Sequence, residues 1–305
     1  MLKTLPLAIS LTLAPALASA NIDIVFDYTY DTTNFFGTTQ KSILESAANV
    51  FESRITDQLG AITSAGSNTL DLSFYNPSTG AQTDINNASI AANELRIYVG
   101  AMSLGGSTLG KGGPGGGSIS YSSLSFFDSL SRGQTGYVPF GPAGVYDTDF
   151  APWGGTLSLN SSYSNWYFDS DVSTMESFSG ADFYSVALHE IGHVLGYGTS
   201  NSWKNKVNAA VPSFTGAYSG TQPLDDDAHW QDGLTSTING AGSFEAAMDP
   251  TIFLGTRKEF TDLDWNGLRD IGWQVAAAPV PEPETWALLL AGLTLVSVGA
   301  KRRRA

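Results

Sequence analysis

"ALHEIGHVLGYGTSNSW", residues 187–203, decides how the rest of the chain is read. Drawn as a helix over 182–196 at about 100° per residue, it sets His193 about 40° from His189, so both imidazoles leave the same side one turn apart. Tyr184, Ala187, Leu188, Ile191, Val194 and Leu195 fall on the opposite side, roughly 140° to 260° round the wheel, as a stripe for a core. Glu190, at about 100°, flanks the histidine pair. Gly196 stands where the helix must stop, since glycine takes the left-handed conformation that turns a chain sharply back.

Two neutral imidazoles on a rigid helix can hold a metal ion, with a third protein ligand and one open position. A carboxylate beside them is placed to act as a general base on water. The plain alternative is a helix with a buried face and two surface histidines. The chain has three histidines in all, His189, His193 and His229. Thr199, three residues past Gly196, is a poor metal ligand. His229 lies in "PLDDDAHWQDG" (223–233), a polar segment in which Asp225, Asp226 and Asp227 form either a solvated turn or a calcium-binding loop, so Ca2+ is possible but has no other support. Glu245 is a second candidate for third ligand. Met248 precedes a turn at Pro250 and is either core packing or a floor beneath the site. A helix is expected after it, capped at Thr261 and Asp264 and packed through Leu263, Leu268 and Ile271.

Both ends read as processing segments. Residues 1–20 have the form of a signal peptide: Lys3, the apolar "LPLAISLTLAPAL", then Ala18-Ser19-Ala20 for cleavage before Asn21. The other end, 279–305, carries Pro281-Glu282-Pro283, an apolar run from Thr285 to Ala300, and basic Lys301 to Arg304. These three parts in order resemble the PEP-CTERM sorting signal of Gram-negative bacteria. That resemblance implies a membrane-bound sorting enzyme of exosortase type as partner, transient contact with the inner membrane through the tail, and final residence at the cell surface or in the extracellular matrix. A plain C-terminal membrane anchor is the other reading of the tail.

Of the 15 basic and 29 acidic residues, five and two lie in these ends, leaving a body with 10 against 27. Such a surface repels nucleic acid and anionic membrane. There is no cysteine, and the body, 21–278, is long enough to bury a core without disulfides.

Along the body, "NIDIVFDYTYD" (21–31), "TLDLSFYN" (69–76) and "ELRIYVGAM" (94–102) read as strands. The first begins so near the cleavage site that no pro-segment is expected. Residues 40–59 carry Leu44, Ala48, Phe51, Ile55 and Leu59 at helical spacing. Strand, helix, strand, strand predicts a mixed sheet with a helix packed on it, in the α+β class. The glycine-rich stretch 104–118 is expected to be a flexible surface loop; it nearly spells a phosphate-binding loop, but Gly112 follows Lys111 where a hydroxyl is required. An edge strand is expected over 154–160.

"HEIGHVLG" is similar to the H-E-x-x-H-x-x-G start of the metzincin zinc peptidases, with Thr199 where the short motif places its last ligand. With His229 in "HW", then Met248, then a helix ending in "DIGW", the order resembles the leishmanolysin-like branch, over roughly 183–273. The resemblance implies one catalytic Zn2+ held by His189, His193 and His229, Glu190 as general base, and Met248 as the methionine-turn residue. It implies an upper lobe (21–196) and a smaller, mostly irregular lower lobe (197–278) about a cleft. The function it implies is an exported endopeptidase acting on protein or peptide substrates extended along the edge strand. The rivals are a non-catalytic surface or matrix protein that keeps the fold and its zinc, a carbohydrate-binding module, and a thermolysin-like site using Glu245.

Overall fold

The computed structural model describes residues 22–133 and 153–277, so the expected signal peptide and sorting tail lie outside the described residues. In chain order the first elements are β1 (Asp23–Asp27), α1 (Thr38–Glu52), β2 (Thr69–Tyr75), β3 (Gln82–Ala88) and β4 (Glu94–Met102). Then come β5 (Gly110–Pro114), β6 (Gly116–Ser120), α2 (Leu124–Ser129), β7 (Gly154–Asn160), β8 (Trp166–Tyr167), β9 (Ala181–Asp182) and α3 (Phe183–Val194). The last part holds α4 (Asn201–Lys204), β10 (Val207–Asn208), β11 (Ser213–Gly216), β12 (Gly220–Pro223), β13 (Thr235–Ile238), β14 (Ala241–Glu245) and α5 (Asp262–Asp270). The class is α+β, as expected.

The main sheet has the order β1-β4-β7-β5, with β1, β4 and β7 parallel and β5 antiparallel to β7. β4 is central and covered on both faces, which is why "LRIYVGA" is almost continuously apolar where a half-exposed strand would alternate. On one face lie α1 and α3: Leu44, Ala48 and Phe51 of α1 and Ala187, Leu188 and Ile191 of α3 pack with Ile97, Val99, Leu157 and Leu159. On the other, the small sheet β3-β2-β6 buries Leu70, Leu72 and Phe74 against Tyr98 and Trp153. β2 therefore belongs to this second sheet and not to the main one.

The helix expected over 40–59 ends at Glu52. Ile55 and Leu59 are buried as their spacing suggested, but outside a helix. Ile55 pairs with Val275, Thr56 N–H donates to Gln274 O at 2.8 Å, and Leu59 N–H donates to the Asn93 side chain at 2.8 Å. Periodic apolar residues report burial, and here tertiary partners for the backbone supplied a different geometry.

Two expectations are corrected together. The stretch 104–118 is not a surface loop: it contains β5 and the start of β6. In consequence 154–160 is not an edge strand, because β7 lies between β4 and β5. The edge is β5. A Cβ on Gly112 would stand 2.1 Å from the Glu190 carbonyl oxygen, and one on Gly110 2.6 Å from Glu190 Oε1. Glycine at alternate positions is what lets this strand lie directly on α3.

Residues 197–277 are less irregular than expected, with the sheet β10-β11-β12, the hairpin β13–β14 and two helices. Their core is aromatic: Tyr197, Trp203, Phe214 and Trp230 have ring centroids 4.2–5.5 Å apart and all are buried. α5 opens with a capping box between Thr261 and Asp264. Its far end is tied to the end of α3 by Trp273, whose indole N–H donates to Leu195 O at 2.8 Å.

Candidate metal centre

The end of α3 is built by Gly196, which sits at φ +101°. Gly196 N–H donates to His193 O and Tyr197 N–H to Gly192 O, each at 3.1 Å, the paired bonds of a Schellman turn. The turn swings the Tyr197 carbonyl back beneath the helix, where it accepts His193 Nδ1–H at 2.8 Å. Thr199 donates through Oγ1 to His193 O at 2.8 Å, so the residue at the short motif's last position closes the turn. Gly196→Ala is expected to cost at least about 1–2 kcal/mol, from a left-handed conformation an L side chain resists, measured by urea unfolding.

His229 is delivered by a short loop closed between Leu224 and Trp230. Trp230 is fully buried, and its backbone N–H donates to Met248 O at 3.1 Å. The turn at 246–250 is held from α5: Asp264 Oδ2 accepts Ala247 N–H (2.9 Å), Thr261 N–H (2.8 Å) and Thr261 Oγ1–H (2.7 Å). Asp264 Oδ1 accepts Met248 N–H (3.2 Å) and the Trp230 indole N–H (3.1 Å). Ala247 O in turn accepts His189 Nδ1–H at 2.8 Å. One buried carboxylate thus sets both the support of His189 and the anchor beside His229. Asp264→Asn turns an amide N–H towards these donors, so about 2–3 kcal/mol of stability should be lost, read by urea unfolding, together with weaker metal binding.

The three imidazoles converge. His193 Nε2 lies 3.0 Å from His189 Nε2 and 3.1 Å from His229 Nε2. Each Nδ1–H is already given away, to Ala247 O, Tyr197 O and the Asp226 carboxylate, all acceptors. In the neutral rings every Nε2 therefore carries a lone pair and no proton, so the short N···N approaches are not hydrogen bonds among neutral rings. Burial first, then the adjoining imidazoles, holds His189 well below its ordinary value, and burial with His229 brings His193 down to about 4. Three unprotonated nitrogens at this spacing repel unless a cation lies between them. The spacing is near the roughly 3.3 Å expected between nitrogens about 2.0–2.1 Å from a tetrahedral ion. The site fits a metal that favours imidazole.

Glu190 flanks the triad from inside the protein. It is buried, and burial pushes its carboxyl up to about 8, against the pull of the Gly112 N–H that donates to it. Asn160 N–H donates to Leu109 O and Gly115 N–H to Gly154 O, so ladder bonds fall on the odd-numbered residues of β5. Gly110 and Gly112 consequently turn their backbone groups to the free edge. That edge, the triad, Glu190 and residues 249–252 enclose a cleft of about 710 Å³. The sequence reading missed Gly110 and Gly112. With glycine also at 113, 115, 116 and 117, no local pattern singles these two out.

Met248 is fully buried, and a Cβ on Gly192 would stand 2.6 Å from its sulfur, so it packs against α3 beside His193. Glu245 is not at the triad: it lies with Asp232 and Asp249, and Lys258 Nζ is 3.4 Å from Glu245 Oε1 and also bonds Asp249. In 225–227, Asp226 is bonded to His229, and these three aspartates do not converge as a cluster.

The PEP-CTERM protein-sorting motif model matches residues 279–304. The chain therefore carries this sorting signal, which implies export and association with a surface or membrane. Among the described residues no helix is long and apolar enough to cross a membrane. Metalloendoproteinase 1 of Glycine max is 36% identical over 90 residues, 29% of this chain and 28% of that protein. The chain thus matches little more than a quarter of that relative's length. No solved structure matches.

Proposed function

We propose that this chain is an exported zinc-dependent endopeptidase with a leishmanolysin-like metzincin arrangement, 21–196 above the cleft and 197–278 below it. The observation that carries the reading is the convergence of the Nε2 atoms of His189, His193 and His229 beside the buried Glu190, at the free edge of β5. A structural zinc site would be closed by a fourth protein ligand and would need no carboxylate of this kind. The partial likeness to a metalloendoproteinase supports the same chemistry.

His189, His193 and His229 would hold the ion. Zinc bound there supplies Lewis-acid chemistry and lowers the pKa of water towards about 7. Beside a cation held by the three histidines the Glu190 carboxyl would return towards its charged form, and Glu190 would then take a proton from the attacking water and deliver it to the leaving amine. Gly110 and the Gly112 carbonyl offer outward backbone groups that pair an extended substrate as an added strand, the Gly112 N–H being held by Glu190. The Tyr197 and Ala247 carbonyls keep the two helix histidines in the ligating tautomer. Residues 1–20 direct export, and the tail is removed by an exosortase-type enzyme.

The test is metal content and casein hydrolysis by the purified protein. One zinc per chain is expected, with hydrolysis lost to a chelator and restored by zinc. Zinc well below one per chain sinks the site; zinc without hydrolysis leaves the site and sinks the peptidase.

A further inference from the structure

The three histidines are not supported alike. His189 and His193 give Nδ1–H to backbone carbonyls of the folded body, whereas His229 gives it to a side chain of its own loop, Asp226, three residues earlier. Both Asp226 oxygens lie 2.9 Å from His229 Nδ1. Oδ1 also accepts Ala228 N–H at 2.8 Å and His229 N–H at 2.9 Å. The loop's remaining anchors end next to the ring without touching it: Trp203 Nε1–H to Asp227 O at 2.8 Å, Asp225 N–H to His229 O at 3.2 Å, and buried Trp230.

The Asp226 side chain is 54% exposed, so the core gains little from it, and its four contacts all serve residues 228 and 229. We infer that Asp226 is the positioning residue that makes His229 a metal ligand: it sets the ring's direction and holds the proton on Nδ1, leaving Nε2 free to point at His193. The inference rests on the proposed metal site for its consequence, but not for the tautomer.

Asp226 does two separable things. As a turn former it accepts two backbone N–H groups, which asparagine can still do through one oxygen. As a charged partner of the ring it offers two oxygens, of which asparagine retains one and alanine none. A carboxylate on the far nitrogen also raises the basicity of a ligating imidazole.

The test compares the full-length parent protein with Asp226→Ala and Asp226→Asn. In metal-free protein, long-range ¹H–¹⁵N NMR of His229 should show the Nδ1–H form in the parent and mainly the Nε2–H form in Asp226→Ala. Zinc affinity by chelator competition should fall about 10- to 100-fold in Asp226→Ala, with an intermediate loss in Asp226→Asn. Cobalt-loaded Asp226→Ala should show a visible spectrum altered from the parent's. Thermal stability of the metal-free variants should stay within a few degrees of the parent's. An unchanged tautomer, or an unchanged affinity, overturns the inference; so does metal-free Asp226→Ala that is itself grossly destabilised, since the role is then structural. If the parent binds no zinc the proposed function falls, and the NMR comparison alone decides whether Asp226 sets the ring.

Discussion

If the proposed function holds, Glu190→Gln should keep the parent's metal content and lose peptide hydrolysis by about 10²- to 10⁴-fold, the range a positioned general base supplies. The substitution changes no volume. An amide oxygen can still accept the Gly112 N–H, and none of the three converging nitrogens is touched, so metal content should equal the parent's. Stability gives a second readout. Burial pushes the Glu190 carboxyl up to about 8 from an ordinary 4.5, so folding disfavours its charged form and the unfolded chain gains by ionising as pH rises. The glutamine variant carries no such penalty. Metal-free Glu190→Gln is therefore more stable than metal-free parent, and the gap widens from about pH 4.5 to about pH 8 and then levels. Hydrolysis that survives the substitution removes Glu190 from the chemistry. A stability gap that does not change with pH means that the carboxyl is not desolvated as the packing implies.

What could be read from the sequence follows from where each signal sits. α3 was legible because three independent cues agree within a few residues: an apolar stripe, a histidine pair on the other side, and a glycine that ends the helix. α5 was legible from its capping pair. The aromatic and β-branched runs at 23–27 and 94–102 marked strands, but nothing in them states which strand lies next to which, so β2 was placed in the wrong sheet. The end of α1 was misjudged because Ile55 and Leu59 are buried by pairing with residues more than 30 positions away. His229 was legible as one of three histidines and from its place in "HW" ahead of Met248, but Asp226 and Asp264 were not visible as its supports. Their roles arise where α5, the 246–250 turn and the 224–230 loop meet, and no local pattern records such a meeting.

The glycine-rich stretch is the instructive failure, and it yields the second large effect. Composition alone suggests a flexible linker, since glycine loses more freedom on ordering than other residues. In the fold each β5 glycine faces a different demand. A Cβ on Gly112 would meet the Glu190 carbonyl oxygen at 2.1 Å and its carbon at 2.7 Å, both main-chain atoms of a buried helix. Ordinary contact begins near 3.4 Å, and α3 is fixed in the core while β5 is an edge strand, so Gly112→Ala must move β5 by about 1 Å. Gly110 meets Glu190 through its flexible carboxylate, at 2.6 Å, and can be accommodated at lower cost. Gly113, on the other face, meets nothing within 4 Å. Displacing β5 takes the Gly112 N–H from Glu190 and the free edge from its place beside the histidines. A misplacement of about 1 Å in such a site costs roughly 100-fold, so Gly112→Ala should lower hydrolysis by about 10²- to 10³-fold. Metal affinity should hold, because no ligand or ligand support comes from β5. Gly110→Ala should fall between, and Gly113→Ala should fold with full metal content and up to about 0.5–1 kcal/mol more stability. If Gly112→Ala and Gly113→Ala behave alike, close packing of β5 on α3 is not what sets the cleft, and the glycines are there for flexibility after all.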